Sequence, residues 1–480
     1  MDEAIVLYPS PAIGHLVSMV ELGKLLLTHH PSLTIHILVA PQPYNAGSTA
    51  PYISSVSATI PSITFHNLPN VTLPPAITSL HPETLIFELL RLNNPNVHQS
   101  LLSISESYTI HALIMDFFCT HALSVAVNLN IPGYYFYTSS ASCLASFLYL
   151  PTLHRNTTKS FKDLNAIVEV PGIPPVPSWD MPKPVLDRFD KAYEYFLDSS
   201  IKMAKSAGIL VNSFESLESR GISAISNGLC NPDGPTPPIY YVGPLIASSD
   251  KRSAGGNETV PECLKWLDLQ PSQSVVFLCF GSLGFFSIEQ LKEMAIGLER
   301  SGTRFLWVVR NPPTDQDHSL ATSAQLDPDL DSLLPEGFLE RNKERGLVVK
   351  SWAPQVDVLN HEAVGGFVTH CGWNSVLESI CAGVPMIGWP LYAEQRICRV
   401  SMVKDMRIAL PMKESEDRFV SATEVEKRVR ELMDSDKGKL IKERTLAMKN
   451  EAKAALNEDR GSSRVALNKF FESCSSIKED

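Results

Sequence analysis

No run of apolar residues in the sequence approaches the roughly 20 needed to cross a bilayer, so no membrane span is expected. The opening Met1-Asp2-Glu3 is acidic where a secretory leader carries a basic segment, and no such leader is expected. The nine cysteines are scattered, without a Cys-x-x-Cys pair, so neither a zinc site nor a disulfide framework is indicated. Several, such as Cys279 in VVFLCFGS, stand in apolar runs and read as buried thiols of a cytoplasmic protein. Positive charge is in deficit, 41 Lys and Arg against 52 Asp and Glu, which argues against a nucleic-acid partner. No Gly-x-Gly-x-x-Gly follows a strand at the start of either half, against a nucleotide-dependent dehydrogenase. No internal repeat is usable, and a monomer is the default expectation.

What is present is enough chain, 480 residues with 44% hydrophobic, for two domains that each bury a core. In the first half, short apolar runs alternate with helical periodicity. AIVLYPS (4–10), TIHILVA (34–40), HALIMDFF (111–118), GYYFYTSS (133–140) and GILVNSF (208–214) read as strands, and a helix is expected from His15 to about His29. Polar, Gly-containing residues 246–261 read as a linker. Alternation then resumes with strands at 274–282, 304–310, 346–354, 365–372 and 384–390, while 311–334 reads as an exposed loop. The expected fold class is α/β, two Rossmann-like domains with parallel sheets, whose ligands sit at the carboxyl ends of strands. The predicted divisions are residues 1–245, the linker 246–261, residues 262–460, and a C-terminal helix over 461–480 that packs back on the first domain.

The densest motif runs from Trp352 to Gln395 and contains GGFVTHCGWNSVLES. A buried strand, Gly366–His370, enters a short turn, and a helix is predicted to begin near Asn374 or Ser375. Such a turn presents backbone N–H groups and the positive end of the helix dipole to an anion. His370, Asn374 and Ser375 add donors suited to a diphosphate, Glu378 can accept from a ribose hydroxyl pair, and Trp352 offers a flat face to a base. A helix capped by Ser or Asn alone would be an ordinary crossover; Trp, His, Asn, Ser and Glu together are not.

This segment, from WAPQ through HCGWNS to the closing acidic residue and Gln, resembles the signature box of plant secondary-product UDP-glycosyltransferases of glycosyltransferase family 1. The resemblance extends over essentially the whole chain. It implies the GT-B fold, an N-terminal acceptor domain and a C-terminal donor domain facing across a cleft. It also implies that Trp352 stacks on uracil, the Ala353 backbone meets the uracil edge, and Gln355 and Glu378 bind ribose. His370, Asn374 and Ser375 would hold the diphosphate, with Ser282, after the strand VVFLCFGS, as a second phosphate contact. Trp373, Glu394 and Gln395 would face the sugar. Gln395 in the last position resembles glucose-using members, whereas Glu394 stands where many members carry Asp.

His15, in SPAIGHL at a helix start, is the candidate base, since a helix N-terminus disfavours imidazolium. Asp116 ends the strand HALIMD, and two strand ends of one parallel sheet share an edge, so the two side chains can meet. The family carries its catalytic His and its Asp partner at these positions. The reaction implied is inverting transfer of glucose from UDP-glucose, a co-substrate, to a hydroxyl of a small phenolic acceptor. No cofactor and no metal is expected, because fixed donors stabilise the leaving diphosphate. Asp-x-Asp occurs only at 327–329 and 329–331, in the expected loop. Phe117, Phe118, Tyr134, Tyr135, Phe136, Tyr137, Phe147 and Tyr149 cluster near strand ends, mostly as core, with Phe117, Phe118, Phe147 and Tyr392 as acceptor candidates. IGHLVSMVELGK, MDFFC, PGIPPVPS and CFGSLGFFSIEQLKE resemble enzymes acting on flavonoids, chalcones, isoflavones and small phenols. Two other readings stay open: attack through carbon, nitrogen or sulfur of the acceptor, and a catalytically idle UDP-sugar sensor.

Overall fold

The computed structural model describes residues 2–42, 49–74, 81–247, 260–312, 327–457 and 460–476. The chain divides into two compact units, Met1–Ile246 with Ala454–Asp480, and Ala247–Lys453. Most of the residues read as a linker lie outside the described ones.

The first unit is built on a seven-stranded parallel sheet. Its strands are β1 (Asp2–Tyr8), β2 (Thr34–Val39), β3 (Ile63–Asn67), β4 (Tyr108–Asp116), β5 (Gly133–Tyr137), β8 (Gly208–Val211) and β9 (Ile239–Tyr241). A separate antiparallel hairpin holds β6 (Ile167–Val168) and β7 (Val176–Pro177). Helices cover both faces of the main sheet, which is why Ala4–Tyr8 and Gly133–Tyr137 carry no charged residue and are buried at every position, without the alternation of a one-sided sheet. The strand order is β3-β2-β1-β4-β5-β8-β9. The chain builds outward from β1 to β3, then returns to the other side of β1 to lay down β4. That reversal opens a crevice at the carboxyl ends of β1 and β4. The helix Ser462–Ser476 closes this unit. Its Leu467 and Phe470 are completely buried, and the Phe470 ring lies 5.0 Å from that of Tyr134 and 5.7 Å from that of Tyr240.

The second unit repeats the plan with six parallel strands: β10 (Val275–Cys279), β11 (Arg304–Val309), β12 (Gly346–Lys350), β13 (Val364–Thr369), β14 (Met386–Gly388) and β15 (Ala409–Pro411). Their order is β12-β11-β10-β13-β14-β15, so the reversal falls between β10 and β13. Phe277, Phe305, Trp307, Phe338, Phe367 and Trp389 fill its core.

Three of the strands the sequence reading omits, β3, β9 and β15, are sheet edges of five residues or fewer. An edge strand needs no continuous apolar run; in β3 only Ile63 is buried. The stretch 311–334 is not wholly an exposed loop. Leu330–Leu333 forms a helical turn, and Leu330, Leu333 and Leu334 are buried in the second core. All nine thiols are free, and all but Cys381 are buried. Among the described residues, no helix is long and apolar enough to cross a membrane.

Candidate active site

The crevice of the first sheet holds His15 and Asp116. The helix Ile13–His29 starts after β1 and places His15 in its first turn, and Asp116 is the last residue of β4. Because β1 and β4 are neighbours, residues 101 apart in sequence meet, with His15 Nδ1 at 2.6 Å from Asp116 Oδ2. The other carboxylate oxygen accepts from Phe118 N at 3.0 Å and caps the turn Phe117–Cys119, so the completely buried Asp116 is held at both oxygens. A carboxylate only accepts, so Nδ1 of His15 carries the hydrogen and Nε2 is the basic nitrogen. The imidazole is a quarter exposed, and Thr138 Oγ1 approaches Nδ1 at 3.4 Å.

Aromatic side chains surround this pair. The Phe117 and Phe118 rings lie 6.3 and 5.7 Å from that of His15. Phe117 packs on Tyr137, Phe147 and Phe196 at 5.7–5.9 Å, and Phe118 packs on Phe87 at 4.9 Å. Phe87 and Phe196 escaped the sequence reading because they occupy apolar faces of helices and look like core. Tyr134, Tyr135 and Phe136 are core, completely buried.

In the second unit, the carboxyl ends of β10 and β13 bring Gly281 and His370 together. Gly281 has φ +72°, and a Cβ there would stand 2.7 Å from His370 Nε2; one on Gly372 would stand 2.3 Å from it. Two stretches of backbone therefore approach the Nε2 edge of the ring closely. His370 is buried, and burial lowers its pKa to about 4, so the imidazole is neutral in the physiological range. Its Nδ1 has no hydrogen-bond partner. The helix begins at Trp373, slightly earlier than expected, with Gly372 rather than Asn or Ser at its N-cap and no side-chain cap. Trp373, Asn374 and Ser375 thus form its first turn at the end of a buried strand.

Gln355 Nε2 donates to Ser375 Oγ at 2.8 Å and to Glu378 Oε2 at 2.6 Å, linking three expected ligands. Trp352 follows Ser351, whose φ is +62°, and is 48% exposed, an open indole face, whereas Ala353 is buried. Trp373 is 3% exposed. Ser282 is exposed, and its carbonyl accepts from Arg310 Nη1 at 2.9 Å, a contact the sequence reading missed. Glu394 is half-buried at the N-cap of the helix Gln395–Lys404, whose first residue, Gln395, is buried. The Tyr392 ring lies 5.9 Å from that of His370. Asp327, Asp329 and Asp331 are exposed, and among the described residues no three His, Cys, Asp or Glu side chains converge on a metal position.

Residues 257–448 match the family model described as UDP-glucoronosyl and UDP-glucosyl transferase. The chain is 53% identical to UDP-glycosyltransferase 88B1 of Stevia rebaudiana over 98% of both chains. It is 52% identical to the anthocyanidin 5,3-O-glucosyltransferase of a Rosa hybrid cultivar, again over 98% of both. Among solved structures, Phytolacca americana UGT2 complexed with UDP-2fluoro-glucose and pterostilbene matches 99% of both chains, with a TM-score of 0.85 and 37% identity. Two switch-point crevices and these full-length likenesses lead to one conclusion: the chain belongs to the plant UDP-glycosyltransferases, with their GT-B fold of two Rossmann-like domains, and is a UDP-dependent glycosyltransferase.

Proposed function

We propose that this enzyme transfers glucose from UDP-glucose, with inversion, to a hydroxyl of a small phenolic acceptor such as a flavonoid, chalcone or isoflavone. The observation that carries the reading is the 2.6 Å His15–Asp116 pair at the switch point of the first sheet. His15 Nε2 takes the acceptor proton. The acceptor oxygen forms its bond to the anomeric carbon as the bond from that carbon to the diphosphate breaks, and UDP leaves with the electron pair. Asp116 stabilises the imidazolium and fixes its tautomer.

In this reading the first unit takes the acceptor, against Phe117, Phe118 and Phe147, and the second takes UDP-glucose. Trp352 stacks on uracil, whose edge meets the Ala353 backbone, and Gln355 and Glu378 bind ribose. His370, Asn374, Ser375 and Ser282 hold the diphosphate, and Trp373, Glu394 and Gln395 face the sugar. A neutral His370 serves as an N–H donor, and the first turn of the helix Trp373–Ala382 adds its dipole. These fixed donors favour departure of UDP without a metal. The relatives support the substrate class: one is named for anthocyanidin, and one solved neighbour holds pterostilbene with a UDP-glucose analogue. Nine free thiols support a reducing, cytoplasmic setting.

The test is incubation with UDP-glucose, UDP-galactose and UDP-xylose against flavonoids, chalcones and simple phenols, read by mass spectrometry with acid hydrolysis of the products. A glucose-selective, acid-labile adduct is expected. Its rate should fall by about 10²–10⁴ in His15→Ala. An acid-stable adduct would move the product to C-glycosides, and UDP-glucose binding without transfer would favour a sensor.

A further inference from the structure

We infer that discrimination between donor sugars is set partly by a largely buried Arg396–Glu414–Arg399 network, which acts by holding Gln395 in one orientation. The inference rests on the reading that Gln395 faces the sugar. Its starting point is the segment 389–394, which joins β14 to the helix Gln395–Lys404. Within it Ala393 has φ +50°, a left-handed conformation that a residue with a Cβ adopts only under constraint.

The constraint has two parts. Gln395 Oε1 accepts from Leu391 N at 2.8 Å and from Tyr392 N at 2.9 Å, and the side chain is 2% exposed. Only the oxygen of a carboxamide can accept, so these two N–H groups fix which way the amide is turned. The Nε2 group can only donate. A sugar hydroxyl met by Gln395 must therefore accept a hydrogen bond in a fixed direction.

The second part lies past the end of the signature segment. Arg396 forms two bonds to Glu414, at 2.8 and 3.0 Å, with side-chain exposures of 12% and 9%. Arg399, one turn along, is 3.4 Å from the same carboxylate and 3.4 Å from the Met412 carbonyl. Glu414 follows β15, and Met412 N donates to the Gly388 carbonyl at 3.0 Å. The segment 389–394 is thus tied at its start through Gly388 and at its end through Arg396, both to the stretch 412–414. A largely buried group of two guanidiniums on one carboxylate adds little to stability once desolvation is counted, and its bidentate geometry points to placement of the helix start.

The test uses the full chain and three variants: Gln395→Ala, Glu414→Gln and Arg396→Lys. The readings are kcat/KM for UDP-glucose and for UDP-galactose, and the affinity for UDP alone. Glu414→Gln and Arg396→Lys should each lower the glucose-over-galactose ratio by about tenfold and leave UDP affinity within roughly twofold. The inference is overturned if the ratio holds within about twofold of the parent in both variants, or if UDP affinity and kcat/KM for both sugars fall by one common factor, which is what a general loosening of the unit would do. If Glu414→Gln does not fold, Arg396→Lys, which keeps the charge but not the fork, carries the test. An unchanged ratio in Gln395→Ala would instead show that Gln395 does not read the sugar, and the inference would fall with that reading.

Discussion

His370 stands at the end of β13 with two glycines close against the Nε2 edge of its ring, and burial lowers its pKa from 6.5 to about 4. The unfolded chain protonates this residue as pH falls through 6.5, while the folded chain does not until about 4. Stability contributed here is therefore present above pH 6.5 and lost as pH falls toward 4, by up to ~3 kcal/mol. Denaturant midpoints at the two ends of that window should diverge more for the parent than for His370→Gln; parallel slopes would show that His370 is protonated in the folded state. His15 contrasts with it, being partly exposed and paired with a carboxylate. Both histidines were legible in the sequence as chemistry-bearing residues. What separates the buried, neutral ring of His370 from the partly exposed, carboxylate-paired ring of His15 is the surroundings of each, and those come from strands remote in sequence.

The candidate residues of each unit sit on a strand, a turn and a helix start. In the first, β4 ends on Asp116, whose side chain caps the following turn. In the second, β13 ends beside His370, and glycines supply the close approach. Gly281→Ala would place a Cβ 2.7 Å from the His370 ring in a left-handed backbone. It should cost about 1–3 kcal/mol and weaken UDP binding. Gly302 makes the control: it has the same φ of +72° but nothing within 4 Å of its Cβ position, so Gly302→Ala should cost only about 1 kcal/mol and leave UDP binding unchanged. Equal losses of UDP affinity, measured by calorimetry, would show that backbone strain rather than the His370 contact matters. The central strands were readable because burial on both faces demands unbroken apolar runs. Edge strands β3, β9 and β15 were not: β9 and β15 have three residues each, too few to make a run, and in β3 only Ile63 is buried.

At the scale of the whole molecule, the helix Ser462–Ser476 belongs to the compact unit that opens the chain, not to the one that precedes it in sequence. Phe470→Ala would empty a completely buried site against Tyr134 and Tyr240 and should destabilise that unit by about 3–5 kcal/mol. UDP affinity, assigned here to the other unit, should not move. A parallel loss of UDP binding in the folded variant would mean that the units do not divide the two substrates.

The sequence by itself determined the class of fold, the buried parallel strands and the types of residue at the strand ends, because each is a local consequence of apolar runs, turns and helix starts. Tertiary structure alone decided which strand ends are neighbours. The reversals at β1/β4 and β10/β13 are properties of strand order, set by how the helices pack across both faces, and no local pattern encodes them. The pairs His15 with Asp116 and Gly281 with His370 follow from those two reversals. The tie from Arg396 to Glu414 needed β15 laid beside β14.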